Sequence, residues 1–399
     1  MKRLIEVYDK SDRIVLGLMS GTSHDGVDVA IAKISAYWSV VSGRRETKAI
    51  KLLHHNSYPF NPDLAERIGK AFSGTTEGIC RLNFELGEVF AGAALKSIKE
   101  AGLKPKDIDL IASHGQTVYH IPPVDGRKGA TMQIAEASVI AERTGIITVS
   151  DFRTRDMAAG GHGAPLVPLA DHILFHEKGK VRVVQNIGGI ANLTAVTEKL
   201  EDVIAFDTGP GNSLIDEAVK ILTGGEEAFD KDGKMASKGK IDDALLKELM
   251  NHPYLKVNPP KSTGRELFGK EMAALLVEAW KRKKRKPEDI VATLTRFTGD
   301  SIYKAYESFV FPKYKLDQII LTGGGSKNPE IIGHLKKLFK KAGKAHPAVV
   351  LIDELGIPSS AKEALSFAIL GNETISGNAA NLPKATGASK AVILGKISL

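Results

Sequence analysis

Apolar positions along this chain repeat with two periods, and the places where one period gives way to another mark its elements. Residues 14–19 form a continuous apolar run that ends in Ser20, Gly21, Thr22, Ser23, His24 and Asp25. Apolar residues resume at Val27, Val29 and Ile31, with Ile34 beyond. Near alternation is the period of a strand, so the segment predicts strand, tight turn, strand. Spacings of three and four predict helices over 64–72 and 79–101, the second closed by Gly102. Short apolar runs predict strands at 108–112, 146–149 and 349–352, and a hairpin of 181–184 and 190–196 about Gly188-Gly189. Further helical patterns fall at 138–143, 272–280 and 363–370. Strands alternating with helices favour α/β layers.

Two more apolar strands run into glycine-rich segments. Residues 203–206 lead into Asp207-Thr208-Gly209-Pro210-Gly211-Asn212 and then a helical pattern over 213–219. Residues 318–321 lead into Thr322-Gly323-Gly324-Gly325-Ser326-Lys327-Asn328-Pro329 and a helix over 330–339. Any one such turn is consistent with an ordinary structural turn. Three of them imply a ligand cleft lined by backbone donors. The opening strand–turn–strand and the turn near Asp207 hint at two related halves.

Composition narrows the class. A chain of 399 residues is too long for one ordinary core and fits two domains. At 43% hydrophobic and 26% charged it reads as a globular protein, and no apolar run reaches the ~18 residues of a membrane span. Charges through 1–13 leave no apolar core, so this stretch is not expected to be a signal peptide. Cys80, the single cysteine, excludes an internal disulfide and a multi-cysteine zinc site. Its spacing to Phe84 in a helical pattern predicts a core position. These features fit a cytoplasmic enzyme with no membrane partner. The net charge of +8 is concentrated in Lys281-Arg282-Lys283-Lys284-Arg285-Lys286 at a helix end. Aromatic residues do not interleave there as base stacking would need, so a solvated helix C-terminus is expected rather than a nucleic-acid surface.

The motifs GLMSGTSHDGVD, SHGQT, DFRTRDMAAGGHGAPLVP, NIGGIANLT, FDTGPGN, PKSTGRE, TGGGSKNP and DELGIPSSAKEA follow one another from Gly17 to about Ala388. In that order the chain resembles the anhydro-N-acetylmuramic acid kinase family. The resemblance implies an α/β, two-lobed actin-like ATPase fold of the sugar kinase/heat-shock ATPase/actin superfamily, with a central interdomain cleft. It implies a first domain of residues 1–150 plus a returning tail of about 383–399, and a second of 151–382. It also implies an ATP-dependent kinase that opens the 1,6-anhydro ring of anhydro-N-acetylmuramic acid with water and phosphorylates O6. The product would be N-acetylmuramic acid 6-phosphate, an intermediate of cell-wall recycling.

Residue by residue, the resemblance gives Asp207 as the general base and Glu363 as the second acidic group of the site. A turn-capping aspartate and a first-turn helix residue are their plainer readings. Phosphates are expected at Gly21, Thr22, Ser23, His24, Asp25, Gly26, Val27 and Asp28, at Gly209, Gly211 and Asn212, and at Gly323, Gly324 and Gly325. Asp25 is expected to hold Mg²⁺ through water, since Mg²⁺ keeps most of its hydration. Arg153 and Arg155 are candidates for a bidentate grip on the lactyl carboxylate, against salt bridges to Asp151 or Asp156. His114 is a candidate substrate contact, against a structural role. No GxxxxGK[ST] occurs, and Lys261-Ser262-Thr263-Gly264 is expected to be a surface loop. His24 and His162 stand where the family mostly has leucine and glutamine. Rival readings are a kinase for another sugar and an ATP-driven binding protein; a homodimer is left open.

Overall fold

A computed structural model describes residues 1–21, 25–39, 44–123, 126–341 and 347–399. The chain divides into two compact units, Met1–Leu174 with Ser360–Leu399, and Phe175–Ser359.

The first unit is built on a sheet of seven strands among the described residues. They are β1 (Asp12–Ser20), β2 (Gly26–Ser39), β3 (Arg44–Pro59), β4 (Leu110–Ile121), β5 (Ala130–Ile134), β6 (Thr148–Ser150) and, from the tail, a last strand Lys396–Ser398. β1, β2 and β3 form an antiparallel meander. β4 then pairs with β1, and β6 with β4, both in parallel. One face carries the helices Thr76–Glu100 and Ala137–Thr144, whose Leu86, Phe90 and Ile140 pack with Leu16, Leu18 and Ile111. Helix Lys362–Ile375 packs on β1, β2 and β4.

The second unit repeats this plan. Its strands are β7 (Arg182–Ile187), β8 (Ile190–Val196), β9 (Ile204–Pro210), β10 (Gln318–Thr322) and β11 (Ala348–Leu351). The order β9-β8-β7-β10-β11 matches β3-β2-β1-β4-β6 strand for strand. The first three strands are again antiparallel, and the next two again join in parallel. The two related halves suggested by the sequence are therefore real, with a correction. The turn that corresponds to residues 21–25 is Gly188-Gly189, between the first two strands of the second unit. The segment near Asp207 belongs to its third strand.

The unit boundaries also differ from the expected 150 and 382. Residues 151–174 and 360–382 lie in the first unit. The tail strand Lys396–Ser398, now β12, pairs with β6. The Asp156 carboxylate accepts hydrogen bonds from Asn381 Nδ2 at 2.6 Å and Thr386 Oγ1 at 2.7 Å. Buried Lys362 pairs with buried Asp171 at 2.8 Å. Desolvated partners of this kind tie their segments together, because separating them would leave a buried charge unpaired.

Cys80 is exposed rather than in the core. In helix Thr76–Glu100 the inward stripe is Leu82, Leu86, Phe90, Ala94 and Ile98. Cys80 and Phe84 form a second stripe two residues out of phase, about 200° around the helix, and Phe84 is exposed with it.

Helix Lys362–Ile375 reaches the sheet because β1 carries a glycine beneath it. A Cβ at Gly17 would lie 1.9 Å from the Ala364 carbonyl oxygen. Neither backbone can yield without moving an element, so Gly17→Ala should cost at least ~2 kcal/mol. Thermal unfolding should show a clear fall in midpoint. Gly69→Ala is the control: it sits in helix Pro62–Lys70 with nothing within 4 Å, and should be neutral or stabilising.

Candidate active site

In the first unit, hydrogen bonds fix the two described ends of the β1–β2 connection, Ser20–Gly21 and Gly26. Ser20 Oγ lies 2.7 Å from the Gly26 carbonyl and 2.6 Å from Gln116 Oε1. Gln116 Nε2 donates to the Gly21 carbonyl at 3.3 Å. Gly26 is required there, since a Cβ would lie 2.4 Å from the Tyr58 carbonyl oxygen. Asp25 is exposed at the rim. Val27 is fully buried in the core and offers no side chain to a ligand. Thr22, Ser23 and His24 lie outside the described residues.

Asp28 accepts a hydrogen bond from Ser57 Oγ. Burial, with Glu363 and Asp25 nearby, pushes its carboxyl up to about 6. Glu363 itself is exposed at the start of helix Lys362–Ile375. Arg153 senses the same carboxylate: burial lowers its guanidinium to about 10, while Glu363 and Asp156 oppose the shift. The structure thus brings Asp25, Asp28, Glu363 and Arg153 into one electrostatic neighbourhood.

His114 and Arg153 hold each other. Arg153 Nε donates to His114 Nε2 at 3.1 Å, and Arg153 Nη1 donates to the Gly163 carbonyl at 2.7 Å. His114 Nδ1 lies 2.9 Å from the Gly115 carbonyl, to which it donates. Its ring packs tilted against Phe367, with centroids 4.6 Å apart. Both ring nitrogens are engaged, and His114 orients Arg153. Arg153 makes no salt bridge to Asp151 or Asp156 among the described residues; Asp156 instead receives the Gly163 N–H at 2.8 Å. Arg155, two residues on, is exposed. His162 donates its backbone N–H to the Thr386 carbonyl at 2.7 Å, so this loop is anchored to the tail.

In the second unit, Asp207 lies inside β9, opposite Asn192, rather than in a turn. Its Oδ2 accepts the Thr263 N–H at 2.9 Å, its carbonyl accepts the Tyr254 hydroxyl at 2.9 Å, and its N–H donates to the Lys261 carbonyl at 3.2 Å. Burial pushes the carboxyl up to about 7, against the Thr263 N–H and the Lys261 ammonium. Segment 261–264 is therefore more than a surface loop, although Ser262 is exposed. Lys261 is buried, with Nζ 4.7 Å from the Tyr254 ring centroid, 4.9 Å from Phe309 and 5.8 Å from Phe206. Burial lowers its ammonium to about 8, and Asp207 opposes this.

The glycines of this unit serve packing more than phosphate. Gly209 is buried, with a Cβ position 3.2 Å from Ser301 Oγ. At Gly211 a Cβ would lie 2.0 Å from the Gly188 carbonyl oxygen. The Gly211 N–H donates to the Gly189 carbonyl at 2.9 Å, and the Asn212 N–H to the Gly188 carbonyl at 2.7 Å. Those two donors, expected to cradle phosphate, are consumed in fixing the Gly188-Gly189 turn. Gly323 has φ +86, and a Cβ there would lie 2.4 Å from Asn186 Oδ1. Gly325 packs on Ile187 and Asn212, while Gly324 is exposed. The 323–325 turn and Asn212 thus meet at one edge of the unit.

Sequence reading missed Lys261, Tyr254 and Thr263, and also Arg265, whose guanidinium lies 3.4 Å from the Cβ position of Gly189. The signal was present in the PKSTGRE motif, but Asp207, the partner of Thr263, lies 56 residues away in sequence.

The duplicated sheets, glycine turns and a carboxyl poised near neutrality describe an α/β phosphotransferase. A family model described as anhydro-N-acetylmuramic acid kinase matches residues 13–399. An anhydro-N-acetylmuramic acid kinase of Caldanaerobacter subterraneus subsp. tengcongensis is 48% identical, covering 100% of both chains. One of Bacillus cereus strain AH820 is 44% identical over 96% of this chain and 98% of its own. The chain belongs to the anhydro-N-acetylmuramic acid kinase family. Among solved structures, the Acidaminococcus fermentans (R)-2-hydroxyglutaryl-CoA dehydratase component A covers 91% of this chain and 99% of its own, at 13% identity and TM-score 0.45. A Streptomyces griseus ROK family glucokinase, solved with glucose and AMPPNP, covers 90% and 99% at 13% identity and TM-score 0.37. These likenesses are too slight to carry an argument.

Burial first, and then the Arg153 charge, hold His114 neutral, with its value lowered to about 3. In a ¹⁵N NMR titration its ring should not titrate between roughly pH 5 and 8, where an ordinary histidine does. Arg153→Lys should release Nε2 and disturb that signal, whereas a His114 ring that titrates normally in the unaltered protein would contradict the pairing.

Proposed function

We propose that this protein transfers the γ-phosphoryl group of ATP to O6 of 1,6-anhydro-N-acetylmuramic acid while water opens the anhydro ring. The observation that carries the reading is Asp207. One carboxylate oxygen is held by Thr263, which leaves Oδ1 to take a proton, and the group is poised near neutrality, where a general base is most effective. Water loses a proton to Asp207 and bonds to C1. The C1–O6 bond breaks, O6 bonds to the γ-phosphorus, and ADP leaves. The products are N-acetylmuramic acid 6-phosphate and ADP.

The other residues take supporting parts. Arg155, exposed beside Arg153, is the better candidate for the lactyl carboxylate, because Arg153 is already committed to His114 and Gly163. Glu363 would orient substrate hydroxyls from the first turn of its helix. The hairpin turn at Gly21–Gly26 and its topological counterpart Gly188-Gly189, with Arg265 beside it, are the phosphate-binding candidates. Gly324, exposed between two packing glycines, would approach the nucleotide. Among the described residues no group of three acidic or imidazole side chains could cage a metal. That fits Mg²⁺ held chiefly by phosphates and water. The mutual repulsion of Asp28, Asp25 and Glu363 is what a nearby cation would relieve, with Asp25 the group to hold it through water. Bound there, Mg²⁺ would neutralise phosphate charge. No described helix is long and apolar enough to cross a membrane; the use of ATP and of a recycled wall sugar suggests a cytoplasmic setting.

Asp207→Asn should lower turnover roughly 10²–10⁴-fold with nucleotide binding retained by calorimetry; full turnover would overturn the assignment. The pH profile gives a second check. Asp207 carries its proton below about pH 7, so kcat/KM should fall as pH drops through that value. The Lys261 ammonium holds this value down, so Lys261→Met should move the acid limb to higher pH, and Lys261→Arg should restore it. An acid limb that stays put in Lys261→Met would detach Lys261 from the base.

A further inference from the structure

The second unit holds a widened helical turn that the proposed reaction leaves unused. Helix Pro287–Ala305 runs along β9, with Thr298 Oγ1 donating to the Gly211 carbonyl at 2.7 Å and Ser301 against Gly209. Beyond Ala305 the bonding pattern changes. The Phe311 N–H donates to the Tyr306 carbonyl at 2.9 Å, five residues back, so Tyr306–Val310 is a π turn. Such turns are rare and frequently lie at functional sites. Tyr306 and Val310 are fully buried, and the Tyr306 ring packs on Phe339 with centroids 4.9 Å apart. Half-buried Phe309 is the member of the turn that reaches β9, its ring edge-on to Phe206 at 5.6 Å.

Phe309 there completes the enclosure of one cation. Lys261 Nζ lies 4.9 Å from the Phe309 ring centroid, 4.7 Å from Tyr254 and 5.8 Å from Phe206. Its hydrogen bond among the described residues goes to the Tyr254 carbonyl at 3.3 Å. The Tyr254 hydroxyl in turn donates to the Asp207 carbonyl at 2.9 Å. An ammonium without a carboxylate in contact depends on the ring faces for its place. Asp207 and Glu266 are the carboxylates whose charge bears on this cluster. Lys256 and Glu307, on the flanking turns, are exposed.

We propose that Phe309 is a positioning residue for the reaction: presented by the π turn, its ring holds the Lys261 ammonium in place near Asp207. The inference rests on the reading of Asp207 as the base. Phe309 touches neither substrate nor the base; it acts through Lys261.

Phe309→Leu keeps an apolar wall and removes the π face, so the ammonium loses support and Lys261 should give up its proton more readily. In the full chain carrying [ε-¹³C]lysine, the NMR signal absent from Lys261→Arg reports this titration without an assay of activity. Its midpoint, about 8 in the unaltered protein, should fall by about 0.5–1 pH unit in Phe309→Leu. Phe309→Tyr, which keeps a ring face, should restore it. Phe309→Met repeats the test if Phe309→Leu folds poorly. With less charge on Lys261, the acid limb of kcat/KM should move to higher pH, part of the way toward Lys261→Met. A Lys261 midpoint unmoved in both apolar variants overturns the proposal, because Phe309 then only fills the core. A midpoint that moves while the acid limb stays put also overturns it, because the ring then fails to reach the base. Asp207→Asn separates the two failures. An acid limb that survives there sinks the base itself. A limb that vanishes there but stays put in Phe309→Leu sinks the role of Phe309 alone.

Discussion

In each unit a glycine pressed against a backbone carbonyl sets how closely two elements approach, and the functional side chains follow from that approach. At Gly17 the space for a Cβ is taken by the Ala364 carbonyl oxygen, 1.9 Å away. Helix Lys362–Ile375 can therefore lie directly on β1. That contact places Glu363 near Asp28 and Phe367 against His114. Buried Arg13 secures the far end of the same helix, donating to Asn372 Oδ1 and Ser376 Oγ at 2.8 Å each. In the second unit the Gly188 carbonyl oxygen occupies the Cβ space of Gly211 at 2.0 Å. This lets the N-terminus of helix Ser213–Leu222 close on the Gly188-Gly189 turn. Dense interiors transmit such constraints, because they hold few voids into which an added methyl could move.

Charge is handled by enclosure. Arg153 is held by a neutral histidine and a carbonyl rather than by a carboxylate, so its direction is fixed by hydrogen bonds. Lys261 sits among three aromatic rings, where the ring quadrupoles offset part of the lost hydration. Among the described residues Asp207 receives one N–H on its carboxylate, and burial outweighs both that bond and Lys261. The outcome is a carboxyl that exchanges a proton near neutrality. A second N–H on Oδ1 would have favoured the charged form and left a weaker base.

Much of this was legible in the sequence, and the gaps have physical causes. Strand ends at Ser20 and Thr322 and the hairpin at 182–196 follow from short-range patterning, which periodicity captures. Asp207 was legible as a candidate carboxylate but not as a mid-strand residue, since Thr208-Gly209-Pro210 reads as a turn while pairing with β8 keeps it extended. Gly209 and Gly211 read as phosphate ligands because a glycine that packs and a glycine that binds look alike in sequence. Only the carbonyl against Gly211 tells them apart. Cys80 was misplaced because its four-residue spacing to Phe84 runs parallel to the true core stripe. Lys261 escaped because a lysine in a polar, glycine-bearing segment signals solvent, and two of the three rings around it, Phe206 and Phe309, come from distant parts of the chain.

The central claim is that one event opens the anhydro ring with water and gives O6 the phosphoryl group. Carrying out the reaction in ¹⁸O-water with ATP and anhydro-N-acetylmuramic acid tests it most directly, with rapid quenching and the label located by mass spectrometry. The opened sugar exchanges oxygen at C1 through its aldehyde, so the time course is extrapolated to zero. The account predicts one ¹⁸O on C1 and none in the phosphate. An unlabelled C1 at that limit, or label in the phosphate, would contradict it.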